Sequence, residues 1–394
     1  MTFHPLQKAV ACLLALFIGM VPVWAEEVQE ESSGDTAGLR LECKSAILME
    51  QTTGQVLYEM NADDPMPPAS ITKIMTLLLT FEAMEQGKFQ YDTVLSCSEH
   101  AASMGGSQIW LEPGEEMTVD EILRATFISS ANDAAVVLAE AVAGSEDAFV
   151  SMMNEKAREL GMENTHFSNA TGLDAPEHYS TARDIALMSA ALLRYPDVTR
   201  YSTVWMDSLR GGTTELVNTN KMVRFYNGAT GLKTGTTDGA GSCLSASAQR
   251  DELSLIAVSL GSDTSAQRFA SCRTLLDYGF ANYVTVQPPS LEEQLTPVPV
   301  LHGVQRQVDL AYDLPPSFIM KRGEENSLSQ EVQLAEDVEA PVEEGQLLGK
   351  VVVSKEGAVL GEYPIRAKNA VAKIDFKKGM EILFGTLLGK EESF

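Results

Sequence analysis

The sequence predicts an α/β chain with two structured parts, an α+β domain and a small β-rich domain that follows it. Strand patterns stand at both ends of residues 40–285, around a long stretch with helical periodicity. Over residues 286–375 the sequence becomes Pro-rich and alternates apolar with polar residues, which is typical of short strands. Because the terminal strands of the first part need partners, its sheet is predicted to combine segments that are distant in the chain.

The first elements are a strand hairpin and a long helix. Two apolar stretches flank Thr53 and Gly54, a pair typical of a hairpin turn. After two prolines, Ser70 is predicted to be the N-cap of a helix whose apolar residues recur at helical spacing until Gly87. The elements that follow are predicted as helices at 116–130, 132–144, 145–160 and 181–196, strands at 229–237, 242–250 and 253–261, and a helix at 265–280.

The last segment, residues 376–394, is predicted to form an amphipathic helix. Its apolar residues fall on one helical face, at Phe376, Met380, Leu383, Phe384, Leu387 and Leu388. The segment is too short to span a bilayer. It is interpreted either as a helix on a membrane surface or as a helix packed on the β-rich domain, and the sequence leaves both interpretations open.

The first 39 residues carry the pattern of an exported protein. A thin positive region at Lys8 precedes an apolar run that closes with small residues at Ala25, which predicts a signal peptide over residues 1–25. The alternative, a retained membrane anchor, fits less well because the apolar run is short for a span. Residues 26–39 are acidic and are interpreted as a solvated linker. The expected location is extracytoplasmic, in the cell wall or on the outer face of the cytoplasmic membrane.

Composition excludes several classes of function. The 394 residues are 44% hydrophobic, enough for large cores, and the net charge of -26 disfavours binding to nucleic acid. The histidines form no HExxH pattern and the cysteines no CxxC pair, so no metal or cofactor is predicted. The cysteines beyond the signal segment are interpreted as mostly buried thiols, with one oxidised pair left open; they are Cys43, Cys97, Cys243 and Cys272.

Lys73 occupies an unusual place for a cation. It stands three residues after Ser70, where a capping box carries Glu or Gln near the positive end of the helix dipole. Residues three apart share one helical face, so the Ser70 hydroxyl and the Lys73 amine can meet. A desolvated lysine at this helix end favours the neutral amine, which can accept the serine proton. The alternative is a capping serine beside a solvated lysine, and SxxK alone does not exclude it.

Two further motifs support the catalytic interpretation. Ser130, Ala131 and Asn132 precede a predicted helix, and the triplet Lys-Thr-Gly at residues 233–235 lies on a predicted strand. SxxK, a Ser-x-Asn element and KTG together are the signature of penicillin-binding proteins and class A β-lactamases. Each motif alone has a structural explanation, as an N-cap or as a strand entering a turn. Chance does not readily explain all three in the same order.

The sequence resembles the D-alanyl-D-alanine carboxypeptidase family of low-molecular-weight penicillin-binding proteins. The resemblance covers most of residues 40–285 and extends more loosely to the β-rich domain. It implies a penicillin-binding-protein/β-lactamase-like transpeptidase fold, in which a helix-flanked antiparallel sheet lies beside a helical lobe, followed by a small all-β C-terminal domain. It also implies a serine-type peptidase that acts on peptidoglycan stem peptides and is inhibited covalently by β-lactams.

The resemblance implies a role for each residue of the first two motifs. Ser70 would attack the carbonyl between the two terminal D-alanines and form an acyl-enzyme, with Lys73 as the base. Ser130 would relay a proton to the leaving amine. Asn132 would hydrogen-bond the acyl chain of the substrate and help to hold Lys73. These roles require short, hydrogen-bonded geometry.

The third motif implies a carboxylate site and an oxyanion hole. Lys233 and Thr234 would hold the terminal carboxylate, and Gly235 would allow close approach of backbone and substrate. The backbone N–H groups of Thr236 and Ser70 would form the oxyanion hole. The sequence departs from the family at Thr236, where relatives often carry His or an aromatic residue, and this departure affects the expected substrate preference and rate more than the reaction.

Three other functions are weighed against the carboxypeptidase. A class A β-lactamase also needs a glutamate that activates the deacylating water, and no ExxLN stretch lies between Ser130 and Lys233. Glu163 falls in this interval but is interpreted as a surface residue, so β-lactam hydrolysis is expected to be slow. A transpeptidase would need an amine to intercept the acyl-enzyme. A non-catalytic wall-binding module would show damage to its nucleophile or base, and both residues are intact.

Overall fold

The computed structural model describes residues 38–291 and 294–387. The predicted signal peptide and almost all of the predicted linker lie outside the described residues, as do residues 388–394 of the predicted terminal helix. In chain order the strands are β1 Ser45–Glu50, β2 Val56–Met60, β3 Val94–Ser96, β4 Glu116–Thr118, β5 Met206–Leu209, β6 Thr214–Val217, β7 Ala229–Thr237, β8 Gly241–Arg250 and β9 Leu253–Ser262, followed in the C-terminal part by β10 Tyr283–Val286, β11 Val298–Leu301, β12 Gln307–Val308, β13 Leu310–Tyr312, β14 Phe318–Lys321, β15 Leu328–Leu334, β16 Val338–Glu339, β17 Leu347–Lys355 and β18 Ala358–Ala367. The helices are α1 Lys73–Glu85, α2 Glu99–Ala102, α3 Val119–Arg124, α4 Asn132–Ala143, α5 Glu146–Glu159, α6 Ala182–Leu192, α7 Thr199–Ser202, α8 Met222–Phe225, α9 Ser265–Asn282 and α10 Phe376–Leu387.

The main sheet joins the two ends of the first domain, as the sequence predicts. Its five strands run in the order β2-β1-β9-β8-β7, and neighbouring strands are antiparallel. Residues of β1 pair with β9, about 200 positions later in the chain, in the register Ile47 with Val258. The predicted hairpin β1–β2 is present. The sheet therefore places β7, which carries the KTG motif, at its edge.

Helices cover both faces of the sheet. Alternate residues of a strand point to opposite faces, and β1 shows this: Ile47 packs in a core with Ile74 and Ile185 of α1 and α6, whereas Leu48 packs with Leu275 of α9. All five of these side chains are fully buried. Double coverage explains why the strand sequences are almost continuously apolar.

A helical lobe lies beside the sheet. Helices α4 and α5 pack on α1, α3 packs on α4, and the lobe shares one hydrophobic core with the inner face of the sheet. Phe127 stacks on Tyr201 with ring centroids 5.6 Å apart, and Phe81 meets both rings edge-on. The helix-flanked antiparallel sheet beside a helical lobe confirms the fold class expected from the sequence.

Two local predictions are wrong near the motifs. Ser70 is not a helix N-cap, because a single 3-10 turn, Ala69–Thr72, precedes α1 and places Lys73 at the first position of the α-helix. The predicted helix over 116–130 is a strand, a short helix and a five-residue π turn. A capping box between Thr118 and Glu121 sets the helix start at Val119, later than apolar spacing suggests.

Neither Ser130 nor Asn132 caps a helix. Ser130 ends the π turn with a left-handed φ of 62°, Ala131 occupies the N-cap position, and Asn132 is the first residue of α4. The π turn inserts one extra residue before α4 and rotates Ser130 relative to the preceding helix.

The C-terminal part is β-rich, as predicted. One sheet has the strand order β13-β18-β17-β15, and a second has the order β12-β11-β16. Val351, Val353 and Ile365 of the first sheet are fully buried and cluster with Leu291, whereas Val298 and Val308 of the second sheet belong to a separate cluster. The predicted boundary near residue 286 coincides with the end of β10, which pairs with β14, and the boundary itself stays a prediction.

Helix α10 presents large apolar side chains to solvent. Phe376 is 87% exposed, and Leu383 and Phe384 are more than half exposed. Among the described residues, no helix combines the length and apolar character needed to cross a membrane. The cysteines of the described chain are unpaired, and Cys97, Cys243 and Cys272 are buried, as expected from the sequence.

Candidate active site

Ser70 and Lys73 meet at the junction of the 3-10 turn and α1. The Lys73 amine lies 3.1 Å from the Ser70 hydroxyl oxygen. It also donates to Asn132 Oδ1 at 2.6 Å and to the carbonyl oxygen of Thr171 at 2.7 Å. Lys73 is fully buried, whereas Ser70 is half-buried. Three acceptors therefore fix the amine beside a hydroxyl that a ligand can reach.

The environment of Lys73 favours its neutral form. Burial is the largest cause that holds the pKa of Lys73 well below its usual value, and the positive charge of Lys233 acts in the same direction. The carboxylate of Asp133 opposes both. Desolvation, which the sequence analysis combined with the helix dipole, is therefore the largest cause of the lowered pKa of Lys73. A lowered pKa favours the neutral amine, which can remove the Ser70 proton.

Ser130 and Asn132 stand where the π turn meets α4, and Asn132 contacts the Lys73 amine. The side-chain amide of Asn132 donates to the Gly105 carbonyl at 2.6 Å, and its backbone N–H donates to Ser107 at 2.7 Å. Both bonds orient Oδ1 toward Lys73. The Ser130 hydroxyl is buried and has no hydrogen-bond partner within the described part of the chain. A buried hydroxyl without a partner is costly unless it serves a ligand.

Lys233 is the second buried amine of the site. It is 1% exposed, and its ammonium group has no hydrogen-bond partner among residues 38–291 and 294–387. Burial, followed by the positive charge of Arg268, lowers the pKa of Lys233 to about 7. The neighbouring Thr234 hydroxyl bonds to that of Thr219 at 2.7 Å. A bound anion would supply the partner that Lys233 lacks.

Gly235 allows β7 to lie directly against the turn that carries Ser70. A Cβ at this position would stand 2.9 Å from the Pro68 carbonyl oxygen, 2.9 Å from Ala69 Cβ and 3.0 Å from the Ser70 nitrogen. The family resemblance implied that Gly235 lets the substrate approach the backbone. In the structure, Gly235 first lets the backbone of β7 approach the backbone of the Ser70 turn. It brings the N–H groups proposed for the oxyanion hole to the same place.

Thr236 is exposed, and its side chain is held by a buried arginine. Its hydroxyl donates to the Gly235 carbonyl at 2.8 Å and accepts from Arg268 Nη1 at 2.8 Å. Arg268, on α9, also donates to the Gly235 carbonyl at 2.7 Å. The arginine therefore fixes the end of the KTG strand and contributes positive charge near Lys233.

Sequence reasoning missed four residues that hold the site together. Thr171 acts through its backbone carbonyl, which leaves no signature in a sequence. Thr219 and Arg268 reach the KTG strand from other elements. Asp133 is fully buried and accepts from the N–H groups of Ile109 and Leu111. Its place directly after Asn132 at a helix start was a usable signal, because a carboxylate there commonly binds backbone N–H groups.

Two family models match the chain in succession. Residues 30–264 match the D-alanyl-D-alanine carboxypeptidase model, and residues 283–373 match the C-terminal domain of penicillin-binding protein 5. The chain belongs to the D-alanyl-D-alanine carboxypeptidase family. The family predicted from the three motifs is thereby confirmed.

Members of the D-alanyl-D-alanine carboxypeptidase family match over most of the chain. D-alanyl-D-alanine carboxypeptidase DacF of Bacillus subtilis strain 168 is 43% identical over 370 residues, which cover 92% of this chain and 95% of that protein. The DacC carboxypeptidase of Escherichia coli strain K12 is 34% identical, with 82% of this chain and 83% of that protein covered. The matches include both the catalytic and the β-rich parts.

Solved structures of penicillin-binding proteins have the same fold. Penicillin-binding protein 5 from Haemophilus influenzae superimposes with a TM-score of 0.73 at 28% identity, covering 85% of this chain and 99% of that chain. Penicillin-binding protein D2 from Listeria monocytogenes in the ampicillin-bound form gives a TM-score of 0.54 at 32% identity, covering 61% of this chain and 98% of that chain. As a member of the carboxypeptidase family, the chain is a peptidase of the hydrolase class.

Proposed function

We propose that the chain removes the terminal D-alanine from peptidoglycan stem pentapeptides through an acyl-enzyme on Ser70, and that β-lactams block it by acylating the same oxygen. The observation that carries the proposal is the pair of buried amines. Lys73 lies 3.1 Å from the nucleophile, and Lys233 lies on the adjacent strand without a partner in the described chain. One amine is suited to take a proton and the other to hold an anion.

Acylation uses Lys73 as the base and Ser130 as the proton donor. Lys73 removes the proton from Ser70 as its oxygen attacks the carbonyl carbon between the two D-alanines. The resulting oxyanion is stabilised by the backbone N–H groups of Ser70 and Thr236. Ser130 donates its proton to the leaving amine and receives in its place the proton that Lys73 took from Ser70; the C–N bond breaks, D-alanine departs, and both side chains regain their starting forms.

The terminal carboxylate of the peptide binds at β7. Lys233 supplies the positive charge and Thr234 a hydroxyl donor, so the anion gains charge-assisted hydrogen bonds in a buried place. Binding also raises the proton affinity of Lys233, since an opposite charge favours the ammonium form. The site thereby selects peptides with a free terminal carboxylate. It is a local positive site on a protein whose overall charge is strongly negative.

In the second step, water hydrolyses the ester between the acyl group and Ser70. We expect this hydrolysis to be slow when the acyl group comes from a β-lactam. Asp133 is committed to the backbone N–H groups of Ile109 and Leu111. Glu163 is exposed beyond α5, as expected for a surface residue. Neither carboxylate supplies the activated water of a class A β-lactamase, which supports the carboxypeptidase over that alternative.

The proposal is tested with a pentapeptide ending in D-Ala-D-Ala and the same peptide amidated at its C-terminus. Free D-alanine should appear from the first, and the rate for the amide should be lower by roughly 10- to 100-fold because the ion pair with Lys233 is lost. A fluorescent penicillin should label the wild type but not Ser70→Ala. Labelling without release of D-alanine would show that the protein binds penicillin but is not a carboxypeptidase. Labelling of Ser70→Ala would remove Ser70 as the nucleophile.

We also propose that the protein is exported, that it is cleaved after Ala25, and that α10 binds it to the outer face of the cytoplasmic membrane. The exposed Phe376, Leu383 and Phe384 support the second part, because an amphipathic helix buries such residues in the lipid interface. Deleting residues 376–394 should move the protein from the membrane fraction to the soluble extracytoplasmic fraction. Unchanged membrane association would exclude α10 as the anchor, and a mature protein that retains Lys8 would exclude the cleavage.

A further inference from the structure

A buried histidine joins the active-site turn to the loop that holds Lys73. His178 is 5% exposed, and its Nε2 lies 2.8 Å from the hydroxyl of Thr72, which stands between Ser70 and Lys73. Its Nδ1 accepts from the backbone N–H of Ser168 at 2.9 Å. Because Nδ1 is an acceptor, the ring proton lies on Nε2 and is donated to Thr72. Both ring nitrogens are therefore used in a single neutral tautomer.

The segment between these contacts, named here the 168–178 loop, packs on the catalytic residues. Thr171 accepts a hydrogen bond from the Lys73 amine through its carbonyl oxygen. Gly172 follows with a φ of +85° and lies so close to the turn that a Cβ would overlap the Ala69 carbonyl oxygen. The Asn169 side chain accepts from the N–H groups of Thr171 and Gly172 and keeps the loop compact.

His178 is placed to control this packing. It is the last residue of the 168–178 loop, it bonds to the first, and it bonds to the turn on which the loop lies. The edge of its ring meets Phe167, with centroids 5.9 Å apart, which restricts ring rotation. We propose that His178 is a positioning residue for the reaction, which fixes the Thr171 carbonyl and Lys73 relative to Ser70 by bridging Thr72 and Ser168.

Burial keeps the ring in the neutral form that the bridge needs. Burial, followed by the positive charge of His166, lowers the pKa of His178 to about 4, and Asp174 opposes this shift. Lys73 lies one residue beyond Thr72, and burial also lowers its pKa. At neutral pH the imidazole is uncharged, so Nδ1 is free to accept from Ser168.

Three variants of His178 separate the two hydrogen bonds. His178→Gln keeps a donor near the position of Nε2 and loses the acceptor for Ser168. His178→Asn keeps an acceptor near Nδ1 and loses the donor to Thr72. His178→Phe keeps the ring packing and loses both bonds. The measurements are D-alanine release from the pentapeptide, acylation by a fluorescent penicillin, and the pH dependence of both, each per active site titrated with the penicillin.

His178→Phe should lower kcat per titrated site by about 100-fold with KM changed less than two-fold, because a small displacement of the base affects the reaction more than ground-state binding. The acid limb of the acylation rate should move to higher pH, since water that reaches Lys73 removes the main cause of its lowered pKa. The Gln and Asn variants should fall between the wild type and Phe. Thr72→Val combined with His178→Phe should cost less than the sum of the single changes.

His302→Phe is the matched control, because His302 has a 69% exposed side chain in the β-rich part. It should behave as the wild type. Wild-type kcat and an unshifted acid limb for His178→Phe would overturn the proposal. So would a loss confined to the number of titrated sites, which marks a purely structural role. The inference rests on the proposed function, but a wild type that labels without releasing D-alanine would disprove only that function, since acylation still tests His178.

Discussion

Replacing Lys73 by methionine should lower the rate of Ser70 acylation by about 10³- to 10⁴-fold, the range expected when a general base is removed from a nucleophile. Methionine fills similar space but cannot accept the proton. The buried acceptors of Asn132 and Thr171 each lose a donor, and the cost of burying an amine disappears. Because these effects oppose each other, the free energy of unfolding should change by no more than about 2 kcal/mol.

The rate is measured with a fluorescent penicillin and with the pentapeptide, across the pH range. The acid limb of the wild-type profile should be missing from the residual activity of Lys73→Met, because the titrating base is gone. Lys156→Met, at a partly exposed lysine paired with Glu82 and Glu159, is the control and should keep wild-type rates. Wild-type acylation by Lys73→Met would assign the base to another group.

Gly172→Ala should disrupt the site without touching any catalytic side chain. Its added Cβ would overlap the Ala69 carbonyl oxygen and stand 2.8 Å from the Thr72 hydroxyl oxygen, so the 168–178 loop or the Ser70 turn has to move. Both carry groups that hold Lys73. We expect acylation to fall by about 100-fold or more and the free energy of unfolding to fall by roughly 3 kcal/mol.

A matched glycine separates backbone strain from overlap. Gly144 has the same φ of +85°, and a Cβ there meets nothing within 4 Å. Gly144→Ala should therefore cost only the left-handed strain of about 1–2 kcal/mol and leave acylation unchanged. Urea unfolding and penicillin acylation of the two variants give the comparison. Equal behaviour of Gly172→Ala and Gly144→Ala would show that the loop does not press on the turn as described.

The sequence predicted the side chains of the site more completely than the groups that hold those side chains in place. Ser70, Lys73, Ser130, Asn132, Lys233 and Thr234 stand in motifs whose spacing reflects local chemistry, and the structure joins Lys73 to Ser70 and Asn132 by hydrogen bonds. The supports are backbone groups or side chains far away in the chain. Thr171 lies 98 positions from the amine that it binds, and no residue preference marks a carbonyl oxygen.

Local errors have a common origin. Apolar periodicity locates a helix but not the geometry of its first turn, which depends on tertiary contacts. At Ser70 the strand β7 presses on the turn through Gly235, and a 3-10 turn results instead of a capped α-helix. At Ser130 the π turn adds a residue that periodicity does not reveal. Both departures occur at reacting groups, where local preference yields to function.

Because β1 lies between β2 and β9, the main sheet can be completed only late in the synthesis of the chain. β1 is synthesised about 200 residues before β9. Residues Ser45–Glu50 therefore have no partner strand on their second edge until Leu255–Leu260 have been made. Until then an apolar strand lies open to other chains. The KTG strand is joined to this pair only through β8. A fragment that stops before Leu253 lacks β9 and cannot complete the sheet, so we expect no activity until nearly the whole catalytic domain has been made.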